Sequence, residues 1–449
     1  MRLKYNAWLD KKEKKLDFFK MNKKNIVFID GCRTPFLKSG TDYLNLMSYE
    51  LGQFAIKGLI QKTGIDPKEV DQVIMGTVIS NVQTSNVARE AALGAGLPNT
   101  TPCSTVSQAC ISANRAICNG VNEILVGNAD VVIAGGVENT SDTPIGFPKK
   151  MRNKLFAAQK LRGLGDTLKF VFSLRPSDFI PVRPAVAEYM TGKTMGQDCD
   201  IMAARYGVTR EEQDDFAFRS HQLAGKAQEA GLLKEEMCEV TLEPKFKAIS
   251  VDNGVRPNSK REKLAKLRPA FDKKHGTLTA ANSSFLTDGG AASLIMTEDK
   301  AKELGLTPKS RIVEYVFTGQ DVEDELLLGP AYAISQVLEK AGLTLDQMDV
   351  IELHEAFAGQ VITNIKCLAS DEFAKEKLGR DKAVGIIDES KLNNWGGSLS
   401  IGHPFGATGS RLITTASNRL HKEGGKYAIL AACAAGAHGH AMIIEKYEA

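Results

Sequence analysis

None of the eight cysteines forms a Cys-x-x-Cys pair, which argues against a zinc knuckle or a redox dithiol. They stand singly at Cys32, Cys103, Cys110, Cys118, Cys199, Cys238, Cys367 and Cys433. In a chain of 449 residues, scattered cysteines read as reduced thiols in a reducing compartment. Net charge is also scarce, at +3, too little to argue for nucleic acid. No apolar run approaches the roughly 20 residues that span a bilayer. A Gly-x-Gly-x-x-Gly loop is missing around the glycine-rich histidine segment, so a dinucleotide site is not expected there. Met1 to Lys24 mixes lysines with Asp10, Glu13 and Asp17 and carries no apolar stretch, unlike a secretory or mitochondrial presequence. The expectation is a cytoplasmic protein with an N-terminal arm over 1–24. An upstream start ahead of Met21 fits that segment equally.

What is present is ordinary globular material: 43% apolar residues and 40 glycines, enough for about three domain-sized units. Asn25 to Ile29 reads as a buried strand ending in a turn at Asp30-Gly31. Ser48 to Thr63 has helical periodicity through Leu51, Ala55, Ile56, Leu59 and Ile60. Val70 to Val78 and Asp130 to Gly136 read as strands, and Asn86 to Ala95 as a helix. The second half repeats this rhythm. Helices are expected over Ser335 to Ala341 and Ser410 to Glu423. Strands are expected over Val350 to Leu353, Tyr427 to Ala434 and His440 to Lys446. Ala291 to Met296 echoes His440 to Glu445. Alternating strands and helices predict an α/β fold built from two similar halves. Between them, Ser141 to Gly276 is helical and charged. Its first part joins Lys149, Lys150, Arg152, Lys154, Lys160, Arg162, Lys169 and Arg175 to many apolar residues, a pattern open to a solvated helical face, a membrane surface or a partner subunit.

Four short segments carry the chemistry. Cys110 lies in Ser107-Gln108-Ala109-Cys110-Ile111-Ser112 at the entry of an expected helix, where the helix N-terminus can favour a thiolate. His354 ends a strand and opens His354-Glu355-Ala356-Phe357, and strand ends are where α/β proteins place functional groups. His403 sits in Asn393 to Gly409, with five glycines around it that permit close backbone approach. Cys433 precedes Gly436 and Gly439, a loop able to expose backbone N–H groups as an oxyanion site. Singly, each also fits a structural role. Jointly, a cysteine nucleophile, a histidine base and a second cysteine as acid/base fit carbon–carbon chemistry on a thioester.

These segments resemble the thiolase superfamily over about Asn25 to Tyr447, most closely its trifunctional β-oxidation branch. Thr84-Ser85-Asn86-Val87-Ala88-Arg89-Glu90, Gly135-Gly136-Val137-Glu138, Glu212-Gln213-Asp214 and Ala280 to Gly289 belong to the likeness. The resemblance implies a five-layered αβαβα fold: an N-terminal half over 25–140 completed by 277–300, a loop domain over 141–276 and a C-terminal half over 301–449. It implies thiolytic cleavage of 3-ketoacyl-CoA by coenzyme A. In that reaction His403 activates Cys110, and His403 with a water held by His354 stabilises the enolate. Cys433 is the carbon acid and base, and the N–H groups of Cys110 and Ala435 form an oxyanion site. Ser284 matches a position lining the coenzyme A channel. No metal or tightly bound cofactor is implied, coenzyme A being a substrate. The implied partners are a second copy, as homodimer or dimer of dimers, and a hydratase/dehydrogenase α subunit, with segment 149–175 as candidate contact for that subunit or a membrane.

Two departures matter. His354 stands where short-chain biosynthetic thiolases usually have Asn, which favours the degradative branch. Ala435 stands where many members have Gly; its N–H is retained, and its methyl narrows the acyl pocket. The competing readings are a short-chain acetoacetyl-CoA thiolase, a decarboxylating ketoacyl synthase, which would lack Cys433, and a catalytically weak scaffold subunit.

Overall fold

The computed structural model describes residues 24–448 apart from Arg183, Ala185 and Val186; of the arm expected over 1–24, residues 1–23 lie outside the described residues. The strands are β1 (Ile26–Arg33), β2 (Leu37–Lys38), β3 (Gln72–Gly76), β4 (Cys103–Val106), β5 (Val131–Glu138), β6 (Val240–Leu242), β7 (Lys247–Ile249), β8 (Thr287–Thr297), β9 (Ser310–Gly319), β10 (Val350–Leu353), β11 (Tyr427–Ala434) and β12 (His438–Lys446). All but the β6–β7 hairpin join one sheet, in the order β10-β11-β12-β9-β1-β8-β5-β3-β4, with β2 on β8. The join between β1 and β9 is short, Val27 on Arg311 and Phe28 on Ser310, so the sheet divides there into two subsheets.

Each subsheet repeats the same plan. β5 lies antiparallel to β8 and parallel to β3. β11 lies antiparallel to β12 and parallel to β10. Thus β8, far along the chain, completes the first subsheet. The helices Ser112–Leu125 and Thr408–Lys422 pack on each other and on strands of both subsheets, while Ser48–Thr63 covers the outer face of the first and Gly329–Ala341 that of the second. The stack is helix, sheet, helix pair, sheet, helix. The strands are near-continuous apolar runs because both faces are covered; β5 and β8 are buried at every position.

Several boundaries differ from the sequence expectation. β1 does not turn at Asp30-Gly31 but continues to Arg33 past a register shift between Phe28 and Asp30. The Asp30 carboxylate there meets Lys62 and Lys309, each at 2.9 Å. A Cβ on Gly31 would lie 1.9 Å from Thr414 Oγ1, so this glycine serves close helix packing and not a turn. The helix expected from Ser335 begins at Gly329, with Pro330 in its first turn. β12 begins at His438, two residues early, because Ala435 to Ala437 close a tight hairpin in which Ala434 pairs with His438.

The stretch 141–276 holds the helices Lys149–Ala158, Leu164–Ser173, Met195–Arg205 and Arg210–Glu229 and the β6–β7 hairpin. Phe156, Leu164 and Phe172 are 68%, 84% and 84% exposed. No helix among the described residues is long and apolar enough to cross a membrane.

Candidate active site

Cys110 follows the edge strand β4 and directly precedes the Ser112–Leu125 helix. The turn that presents it is strained: Ala109 has φ +44° without being glycine. Ser112 holds that turn, its hydroxyl donating to Ala109 O at 2.7 Å and accepting from Gln108 N–H at 2.8 Å. The sequence expectation of a thiolate favoured by the helix N-terminus does not hold at rest. Cys110 is partly accessible, yet enough protein surrounds the sulfur that desolvation dominates and pushes its pKa up to about 11. The nearby backbone N–H groups of Ala435 and of Cys110 itself oppose that rise, while the Glu138 carboxylate adds to it. The resting group is therefore a thiol that needs a base, and two N–H donors already converge on it.

His403 supplies a lone pair. Its backbone N–H donates to Thr287 Oγ1 at 3.0 Å, and its Nδ1 lies 2.7 Å from Thr408 Oγ1. The Thr408 hydroxyl donates to Pro404 O at 3.0 Å, so it accepts from Nδ1–H. Nε2 is then the unprotonated nitrogen, buried and without a partner. Burial, with Arg411 second, lowers the His403 pKa to about 3, so the ring is neutral at physiological pH.

His354 leaves the end of β10, its N–H on Ala431 O at 2.8 Å. Its Nδ1 meets Ser398 Oγ at 3.0 Å, and its Nε2 is buried without a partner. Burial, then His403, then Arg411 push its pKa well down. The two rings lie 4.1 Å apart, centroid to centroid. The Cys110 sulfur and one ring nitrogen of each histidine all fall within 4.8 Å of one another. Cys433, at the end of β11, is buried, and desolvation followed by the neighbouring Cys110 raises its thiol pKa well above the ordinary range.

Four of the sequence-selected residues therefore meet at one point, from segments that span more than half the chain. Ala435 brings its N–H to the same sulfur. Ser284 is half-buried, and its N–H donates to Ala356 O at 2.9 Å, two residues along the chain from His354.

A supporting set carried no sequence signal of its own. Glu138 is buried and accepts from Val78 N–H, Ile79 N–H and Gly406 N–H at 3.1, 2.9 and 3.0 Å. It ties the loop after β3 to the loop after His403, and burial raises its pKa to about 7 against those bonds. Glu355 accepts from Ser220, Asn393 and Leu399 N–H, and a Cβ on Gly397 would sit 2.2 Å from its carboxyl carbon. Behind both histidines, Glu352 pairs with Arg411 at 3.2 Å and Arg419 at 2.7 Å, all fully buried. Glu188, from 141–276, accepts from Gly436 N–H next to the Ala435 donor. Glu138 and Glu355 lie inside segments noted in the sequence, but their acceptor roles depend on partners far away in the chain.

Paired thiols, a neutral histidine and backbone N–H groups on a repeated α/β frame are the equipment of an acyltransferase site. The thiolase N-terminal domain family matches residues 26–299 and the thiolase C-terminal domain family residues 306–446: the chain belongs to the thiolase family. It is 52% identical over 428 residues to the mitochondrial trifunctional enzyme subunit beta of Macaca fascicularis, covering 95% of this chain and 90% of that protein. It is 46% identical over 420 residues to a 3-ketoacyl-CoA thiolase of Pectobacterium carotovorum, covering 94% and 96%. The crystal structure of human mitochondrial 3-ketoacyl-CoA thiolase superposes with TM-score 0.80 at 31% identity, covering 95% of this chain and 99% of that one.

Proposed function

We propose that this chain cleaves 3-ketoacyl-CoA with coenzyme A in fatty acid β-oxidation, yielding acetyl-CoA and a shortened acyl-CoA. The observation that carries the reading is the meeting of Cys110, His354 and His403 within 4.8 Å beside the buried Cys433 thiol.

His403 Nε2 takes the Cys110 proton as the sulfur attacks the 3-keto carbon. Ionisation is thereby coupled to attack, as a thiol with a pKa near 11 requires. The C2–C3 bond breaks and leaves an enolate on the departing acetyl-CoA. His403 and a water on His354 hold that negative charge. Cys433 gives its proton to C2, and acetyl-CoA leaves. The incoming coenzyme A thiol returns a proton to Cys433 and attacks the acyl carbon on Cys110. The Cys110 and Ala435 N–H groups hold the oxyanion. Collapse transfers the acyl group to coenzyme A, and His403 reprotonates Cys110. Protons and bonds balance with no metal or tightly bound cofactor taking part. Ser284 belongs, in this reading, to the coenzyme A channel.

The working assembly in this reading is a homodimer or dimer of dimers joined to a hydratase/dehydrogenase α subunit, supported by the likeness to a trifunctional beta subunit. The exposed apolar residues of 149–175 support that segment as the contact for the α subunit or a membrane surface. Eight free thiols support a reducing compartment such as the cytoplasm.

The test is coenzyme A-dependent loss of 3-ketoacyl-CoA of short and long acyl chains, in wild type and Cys110→Ser. Long-chain cleavage abolished by Cys110→Ser supports the reading. Activity confined to acetoacetyl-CoA moves it to the short-chain class, and no turnover with or without an α subunit overturns it. Deleting 149–175 is expected to lower α-subunit or liposome binding; unchanged binding removes that contact.

A further inference from the structure

The same three groups that start the reaction form a ligand set for a soft divalent cation. We propose that Cys110, His354 and His403 bind one Zn²⁺ and that the bound ion switches the enzyme off. Zinc binding goes beyond the thiolytic reading, which uses no metal, and only the loss of turnover rests on that reading.

Geometry carries it. One sulfur and two imidazole nitrogens lie within 4.8 Å of one another. Zinc needs ligands about 2.0–2.3 Å from the ion, which places them roughly 3.3–3.7 Å apart in a tetrahedron. Contraction of at most about 1.5 Å is required, within reach of side-chain rotation. Both histidines already engage a hydroxyl through Nδ1, Thr408 and Ser398. That is the outer-shell arrangement that orients a metal-binding imidazole. Both Nε2 atoms are buried with no partner, and neither histidine is more than 2% exposed. Thr408 leaves His403 Nε2 with a free lone pair. The Ser398 hydroxyl can accept from His354 Nδ1–H and free the second.

Thiolate and imidazole ligands suit zinc, and three protein ligands leave a fourth position for water or an incoming thiol. Binding replaces the Cys110 thiol proton with the ion and releases that proton to solvent; no electron moves. The ion then occupies the sulfur lone pair that would attack substrate and the nitrogen that would take the proton. Charges behind the site are mixed, Arg411 near the rings and Glu138 near the sulfur. Affinity therefore rests on the three ligands and not on the surrounding field. An asparagine at 354 would leave only one imidazole, so the trap depends on the residue by which this chain departs from the short-chain pattern.

The experiment uses the full-length, chelator-treated protein. Zn²⁺ binding is measured by calorimetry, and Co²⁺ reports the ligands through its visible bands and sulfur charge-transfer absorption. One equivalent is expected to bind, with thiolate charge transfer, at the midpoint at which turnover is lost and from which a chelator restores it. Cys110→Ser and His354→Asn, each shown folded by circular dichroism, are expected to weaken binding at least about tenfold. No stoichiometric binding, no charge transfer, or equal affinity in Cys110→Ser overturns the site. One-to-one binding lost in Cys110→Ser in a chain that never cleaves substrate would keep the metal site and remove the thiolytic reading. Turnover indifferent to Zn²⁺ would do the reverse.

Discussion

The two halves share one frame and divide the chemistry unequally. Matching strands by their pairing registers sets β3 against β10 and β5 against β11. Gly76 then corresponds to His354, Ile74 to Glu352 and Val137 to Cys433. The first half is apolar or bare at each position where the second carries a polar or reactive group. Gly76 has no alternative: a Cβ there would lie 2.5 Å from the Ser112 backbone carbon. The Ser112–Leu125 helix comes that close to β3, and this approach sets Cys110 on top of the sheet. In the second half the corresponding space is filled by an imidazole. In the proposed mechanism one half positions the nucleophile by bringing its helix against a glycine, and the other supplies the proton-handling groups. A duplicated scaffold thus acquires one composite site because the halves differ where their central helices begin.

The sharpest break of this comparison is at the nucleophile. Cys110→Ser is expected to lower kcat/KM by at least about 10⁴-fold, since an alcohol leaves His403 too hard a proton to remove. Val137→Cys, which makes the first half resemble the second, should leave turnover within about twofold, because that position faces the outer helix. Steady-state kinetics on both variants check the asymmetry.

Next comes the buried triad. Glu352→Gln is expected to cost about 3–5 kcal/mol by leaving Arg411 and Arg419 without full compensation. Its counterpart Ile74→Val should cost only about 0.5–1.5 kcal/mol. Denaturant titration of both reads the difference, and equal costs would mean that the triad is not strongly coupled.

Thr408→Val removes the hydroxyl that sets the His403 tautomer. A loss of one such hydrogen bond predicts about a tenfold fall in kcat with little change in KM, restored by Thr408→Ser. The smallest effect is in pH dependence. Because burial holds the Cys110 thiol near 11, its thiolate fraction still grows between pH 9 and 11. Alkylation of Cys110 should keep accelerating up to about pH 11, whereas an ordinary exposed thiol levels off by about pH 10. Rates followed by peptide mapping decide this; a plateau by about pH 10 would place the thiol in the ordinary range.

Much of this was legible in the chain. The Ser48–Thr63 helix and the strands Val350–Leu353 and Tyr427–Ala434 coincide with their periodicity because their apolar patterns are strong and their caps local. The turn expected at Asp30-Gly31 failed because Gly31 is read out by Thr414, nearly the whole chain away. Cys110 stood out in the sequence, but its protonation state did not, since desolvation depends on what surrounds it. Glu188, Ser398 and Thr408 were missed for a related reason: a hydroxyl or carboxylate signals nothing until its partner is in place.

The sequence by itself determined the alternation of strands and helices, the two-fold rhythm, and the four reactive residues with the glycines around them, because these follow from short-range periodicity and from side-chain chemistry. Only the tertiary structure decided that the four meet at one point, that both histidines are neutral with Nε2 free, and that the Cys110 thiol is held protonated. Those properties belong to distances and burial among segments hundreds of residues apart, which no local pattern encodes.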